Sequence, residues 1–210
     1  MKKLITILTV AILATVSTTA QNDYATKNGF SVSLELGFPD EDYGFEEGVK
    51  GDYGSTLGFQ LGNRWYLADF GAGGGIALMA NWLSGSFVGK TENDIDFATF
   101  EATFIEFGPM YSFPIANDFA IDAYYNLEPT VLGTIIEDAD NAYFGFGFGH
   151  AIGAAFRFRK LNIGIEYQTG MVDAEYTGDA EFDINNQEID FTTNRDLMTG
   201  QMKLSIGMKF

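Results

Sequence analysis

Eight stretches of this chain alternate large apolar residues with small or polar ones at a period of two. They run about 30–38, 54–67, 72–85, 98–113, 119–132, 142–158, 161–173 and 197–210. Such alternation puts one set of side chains on each face of a β-strand and leaves little scope for helix. The sixth stretch is the clearest. Phe144, Phe146, Phe148, Ile152, Phe156 and Phe158 fall on one face, with Gly145, Gly147, Gly149, Gly153 and Arg157 on the other. In the fourth, Ile105, Phe107, Pro109, Tyr111 and Phe113 oppose Phe104, Glu106, Gly108, Met110 and Ser112. Composition agrees, with 20 Phe, 10 Tyr and 25 Gly against only 4 Pro.

The connections alternate too. Long ones at about 39–53, 86–97, 133–141 and 174–196 are separated by short ones at about 68–71, 114–118 and 159–160. An antiparallel up-and-down meander of eight strands gathers the long loops at one end and the short turns at the other. That asymmetry is the one expected of an all-β transmembrane barrel, whose strands need roughly 9–11 residues each.

Residues 1–20 carry a basic start at Lys2 and Lys3, an apolar run over 4–16 and small residues before Gln21. This is the layout of a cleavable signal peptide, followed by one barrel domain over 21–210. An exported barrel can be soluble, with its apolar face inside, or sit in a membrane, with that face outside. A bare row of glycines makes a poor surface for water but fits the narrow interior of an eight-stranded barrel. The aromatic face therefore meets lipid. Trp65 and Tyr66, Tyr111 and Phe113, Phe156 and Phe158, and Phe210 lie near the short-turn end, as an interfacial girdle requires.

These features, with the ending Lys203-Leu204-Ser205-Ile206-Gly207-Met208-Lys209-Phe210, resemble small outer-membrane β-barrel proteins. The group includes the OmpA membrane domain, OmpX and OmpW-like proteins. The resemblance implies a monomer among the outer-membrane lipids of a Gram-negative bacterium, with long loops extracellular and termini periplasmic. It also implies that Leu204, Ile206, Met208 and Phe210 form the signal read by the barrel-assembly machinery. The terminal Phe fits that signal. Ser205 stands where the group usually has Gly, and Met208 where an aromatic is frequent. The resemblance names a fold and a place, not a ligand.

The inner face carries Glu35, Arg64, Glu106, Asp122, Glu128, Arg157, Glu166, Lys203 and Lys209. Charges in a narrow lumen need partners. Strand order puts Lys203 near Glu35 and Glu166, and Arg157 opposite Asp122. The expectation is a polar plug, and the alternative is a narrow pore for small or apolar solutes. No catalytic, metal or cofactor site is expected. With no Cys, thiolate chemistry is excluded. His150 is the only His, and its parity points it outward. Some eight-stranded outer-membrane barrels are lipid-A deacylases with a Ser two residues after the catalytic His; Ile152 stands there. A lipid-modifying enzyme is thus the least favoured reading.

The net charge of −17 excludes nucleic acid as a partner. It is also localised, because the four long connections hold 19 acids and 3 bases. Calcium-loop spacing is missing from them, and Glu137-Asp138-Ala139-Asp140-Asn141 lacks the needed Gly. They read as a hydrated anionic surface, with 39–53 and 174–196 offering an extracellular partner the most chain. Phe182, Ile184, Ile189 and Phe191 in the last loop predict a hairpin extending the seventh and eighth strands.

Overall fold

Register closes the sheet on itself. A computed structural model describes residues 27–44, 54–70, 74–92, 95–116, 118–136, 141–177, 182–184, 187–189 and 195–210. The leader at 1–20, most of 39–53 and much of 174–196 lie outside the described residues. The strands are β1 (Gly29–Pro39), β2 (Thr56–Asp69), β3 (Gly75–Glu92), β4 (Ile95–Ala116), β5 (Phe119–Ile136), β6 (Asn141–Phe158) and β7 (Leu161–Thr177). Then come β8 (Phe182–Ile184), β9 (Gln187–Ile189), β10 (Arg195–Met198) and β11 (Gln201–Lys209). Each of β1 to β6 pairs antiparallel with the next. The eighth wall strand comes in two pieces. Both β10 and β11 pair with β7, and β11 closes the ring on β1.

The ring is staggered, as a closed barrel must be. Followed from Gly37 through Lys203, Glu166, Gly153, Tyr124, Met110 and Ala77, register arrives at Tyr66. The Tyr66 N–H then meets Asn28, just before the opposite end of β1, at 2.6 Å. Closure gives β1 to β7 and β11 a partner on each side, so in the described wall only β10 and the overhanging strand ends keep an open edge.

The barrel is inside-out relative to a water-soluble one. Large apolar side chains stand exposed round the whole exterior, from Leu34 and Leu57 to Phe148, Ile152, Ile165 and Leu204. The charges are buried within. Aromatic rings pair at the short-turn end. Tyr111 and Phe113 lie 4.4 Å apart by centroid, Phe119 and Phe158 4.5 Å, and Trp65 and Trp82 5.6 Å.

Four expectations need correction. First, 86–97 is not a long loop. β3 and β4 stay paired up to Glu92 and Ile95, leaving a two-residue connection. β5 and β6 likewise run on to Ile136 and Asn141. Alternation had faded there because these ends are less apolar. Second, Phe104 does not face inward. Ile105 has φ 57° and marks a bulge, so Phe104 and Ile105 both point outward, half exposed. N-terminal to the bulge the parity of β4 is reversed. Third, Tyr66 is not part of the girdle. It is even-numbered beside outward Trp65, and its hydroxyl lies in the lumen 2.7 Å from Ser112 Oγ. Fourth, Phe182 and Ile184 pair with Ile189 and Gln187 in a separate two-stranded sheet instead of extending the wall. Phe191 lies outside the described residues.

The glycine row has a sharper cause than a narrow lumen. A Cβ on Gly147 would fall 2.0 Å from the Met171 carbonyl oxygen and 2.7 Å from Val172 Cα on β7. Backbone, not a movable side chain, fills the space. Gly147→Ala is expected to lower stability by about 1–3 kcal/mol, as overpacking does, measured by urea unfolding in lipid vesicles.

Candidate functional site

The lumen is stratified along the barrel axis. At the short-turn end, Asp122 on β5 is fully buried and accepts from two arginines. Arg64 Nη1 donates to Oδ2 at 2.8 Å, and Arg157 Nη2 donates to Oδ1 at 2.9 Å. Ser112 Oγ donates to the same carboxylate at 2.5 Å. Arg157 also reaches the Tyr66 hydroxyl at 3.0 Å, and Arg64 reaches Asn162 Oδ1 at 3.5 Å. Beside this network Ala77, Met79 and Met110 form an apolar pad, with Tyr66 and Tyr124 against it.

The middle layer is acidic. Glu35, Glu106, Glu128 and Glu166 are all buried, and Lys203 lies among them. Register sets Lys203 opposite Glu166, with Nζ 3.9 Å from its Oε1. Glu35 sits two positions along β1 from Gly37, the direct partner of Lys203. Glu106 accepts from Gln60 Nε2 at 3.2 Å and from the Asn126 amide.

The third layer holds a carboxylate that alternation did not reveal. Glu101 is 3% exposed and faces inward on the reversed part of β4. It accepts from Tyr43 Oη at 2.8 Å, Gln168 Nε2 at 2.5 Å and Gln201 Nε2 at 3.0 Å. The signal was present in the sequence, since two successive apolar residues, Phe104 and Ile105, interrupt the pattern after Thr99, Glu101 and Thr103. Tyr43 is brought over Glu101 by a turn that leaves β1. The Asp40 N–H bonds the Gly200 carbonyl and the Gly44 N–H bonds the Met198 carbonyl. Toward the long-loop end Val88, Leu132, Val172, Ala174 and Leu197 are buried beside Thr99 and Thr134, whose hydroxyls hydrogen-bond each other at 3.0 Å.

The carboxylates of these layers are enclosed, and among the described residues no group of three or more His, Asp or Glu side chains could hold a metal ion. His150 lies on the outer face, where its Nδ1 is 2.6 Å from the Tyr125 hydroxyl and the two rings stack at 5.8 Å. Leu204, Ile206 and Met208 lie on the outer face of β11, and exposed Phe210 follows it.

No protein-family model matches the chain, and no curated protein matches it in sequence. Among solved structures, it is similar to Ail, the attachment invasion locus protein of Yersinia pestis, solved with the heparin analogue sucrose octasulfate. Identity there is 15%, coverage 87% of this chain and 97% of that one, and the TM-score 0.47. Neisserial surface protein A gives 9%, 87%, 96% and 0.47 for the same measures. The outer membrane protein OprG of Pseudomonas aeruginosa gives 13%, 91%, 99% and 0.48. Likeness this loose says nothing of ligand or role.

Proposed function

We propose that this chain is a non-enzymatic integral protein of the outer membrane of a Gram-negative bacterium. Its barrel anchors acidic segments at the cell surface, where they serve a structural or surface-interaction role. The observation that carries the membrane placement is the inversion of the barrel, apolar outside and charged inside, on a sheet closed into a ring. In water that exterior would aggregate; in hydrocarbon it is the stable arrangement. The short-turn end, with its aromatic girdle, faces the periplasm. The acidic connections face outward.

The closed lumen favours an anchor over a pore. Arg157, Glu106, Gln168 and Gln201 sit inside the wall, yet all are essentially inaccessible to water. Three layers of packed side chains and the Tyr43 turn obstruct the path. The protein is expected to give a flat current trace in planar bilayers. Sustained openings would replace the anchor with a narrow pore.

The surface role has its own measurement. The wall extends to Thr177 and resumes at Arg195, so a deletion of 178–194 removes the separate β8–β9 pair and spares the strands of the wall. Cells carrying it should display a barrel of unchanged heat-modifiable gel mobility. Any binding of those cells to a host or neighbouring surface should fall. Unchanged binding would remove this segment from the proposal. Hydrolysis of a lipid ester abolished by His150→Ala would overturn the non-enzymatic reading.

A further inference from the structure

The outer face of the wall is not evenly filled. On five adjacent strands Ile76, Tyr111, Ala123, Ala154 and Ile165 are cross-strand partners in one row. Two of the five end at a methyl group, and both alanines are exposed. The next row toward the long loops is large, with Tyr125, Ile152, Tyr167 and Met202 in register. The row on the other side is large too, with Ile121 opposite Phe156. The alanine pair is therefore a gap in a surface of bulky side chains. A groove of about 800 Å³, lined almost wholly by apolar atoms, runs through it. That is the size of a site for an organic molecule, not for a solvent molecule.

The rim on the long-loop side is held back from the gap. Tyr125 Oη lies 2.6 Å from His150 Nδ1, and Tyr167 Oη donates to Asp40 Oδ2 at 2.9 Å. His150 pairs with Leu127, two residues beyond Tyr125 toward the long loops. Gln201 pairs with Gln168, and the Asp40 N–H bonds the Gly200 carbonyl, so Asp40 lies beyond Tyr167 in the same direction. A phenol hydroxyl in hydrocarbon needs such a partner. Each bond draws its ring away from the alanines. A groove kept open before anything enters it costs a ligand less to occupy.

We propose that this groove holds an acyl chain of a glycerophospholipid from the short-turn leaflet, with the lipid phosphate at Lys160. Among the described residues no acid pairs with Lys160 on the β6–β7 turn, whereas its neighbour Arg159 is matched by Asp118. Ala154 precedes Phe158 by four residues, and Ile165 follows Lys160 by five. On strands tilted by roughly 40°, that puts the row ~10–13 Å above the turn, inside the ~15 Å depth of one leaflet. The pinned tyrosines stand across the approach from the other leaflet. A second copy fits less well, because two convex barrel walls touch along a line and leave a recess empty. The site rests on the lipid-facing exterior proposed above and gives it one preferred lipid position.

The test uses the full mature chain folded in alkyl-glucoside micelles. Palmitoyl-oleoyl phosphatidylglycerol is titrated in, and retained lipid is counted by native mass spectrometry. The wild type should retain one lipid saturably. Ala123→Leu with Ala154→Leu fills the gap without touching the lumen. It should weaken retention by about tenfold or more, the worth of two buried methylenes. Ala154→Leu alone serves if the pair impairs folding. Leu34→Phe, on the outer face of β1, should leave retention unchanged. His150→Ala releases Tyr125 and should weaken retention less than the double substitution. Lys160→Met should weaken it about threefold, as an exposed charge pair is worth, and should not alter retention of uncharged diacylglycerol. No retention by the wild type, or equal retention by the wild type and the leucine variants, would overturn the proposal. So would a wild-type dimer that the double substitution splits, which would give the groove to a second copy. Unchanged affinity in Lys160→Met would remove the phospholipid as occupant. Insertion into vesicles, read by heat-modifiable gel mobility, separates the groove from the membrane placement. A barrel that inserts but retains no lipid loses the groove alone, and one that does not insert loses both.

Discussion

Asp122→Asn is expected to destabilise the barrel by about 3–5 kcal/mol, the cost of leaving buried charge unpaired. One carboxylate, fully buried, holds two guanidinium groups at 2.8 and 2.9 Å and takes a third hydrogen bond from Ser112. The amide keeps the shape and removes the charge, so both arginines remain enclosed without a counterion. Urea unfolding in lipid vesicles, followed by the fluorescence of Trp65 and Trp82, gives the magnitude. The matched control is Asp118→Asn. That residue pairs with Arg159 at 3.1 Å, but both side chains are a quarter exposed, so the loss should stay below about 1 kcal/mol. Equal effects at the two sites would mean that water reaches the lumen. Removing all three charges together, with Asp122→Leu, Arg64→Met and Arg157→Met, should cost far less than Asp122→Asn alone.

The pairing of Arg157 with Asp122, and of Lys203 with Glu166, could be read before any coordinates. Strand parity chose the face, and meander order chose the neighbour. The role of Arg64 was harder to read. β2 and β5 are not neighbours, and reaching Asp122 requires a long side chain to cross the lumen, which no pairwise register describes. Glu101 was hidden for another reason. One extra residue at Ile105 shifts the parity of everything before it, and a period-two pattern carries no memory across such a slip. The same holds on β3, where register shifts between Leu61 and Gly62 on the partner strand and the inner set passes from Met79 and Asn81 to Ser84 and Val88. Tyr43 was invisible because a turn, not a strand, delivers it. Hydrophobic periodicity thus reports the wall well. It reports poorly where the wall bulges, or where a connection folds back into the mouth.

Ile152→Arg distinguishes a lipid-facing barrel from a soluble one more sharply than any contact inside it. Ile152 is 63% exposed on the outer face of β6, between Tyr125 on β5 and Tyr167 on β7. In water, an arginine at so open a position would be neutral or would improve solubility. At the middle of a bilayer it should cost about 2–4 kcal/mol, falling to about 0–1 near the interfaces. Phe148, equally exposed on the same strand but nearer the long loops, then serves as a depth gauge. If Ile152 lies closer to the midplane, Phe148→Arg should cost less, and Phe158→Arg, in the short-turn girdle, least of all. The measurement is the free energy of reversible unfolding in vesicles, repeated in alkyl-glucoside micelles, where the gradient with depth should shrink. A series that rises toward Ile152 and falls toward Phe158 locates the membrane on the strand. A flat series near zero would mean that this exterior meets water, and the membrane placement would fall with it.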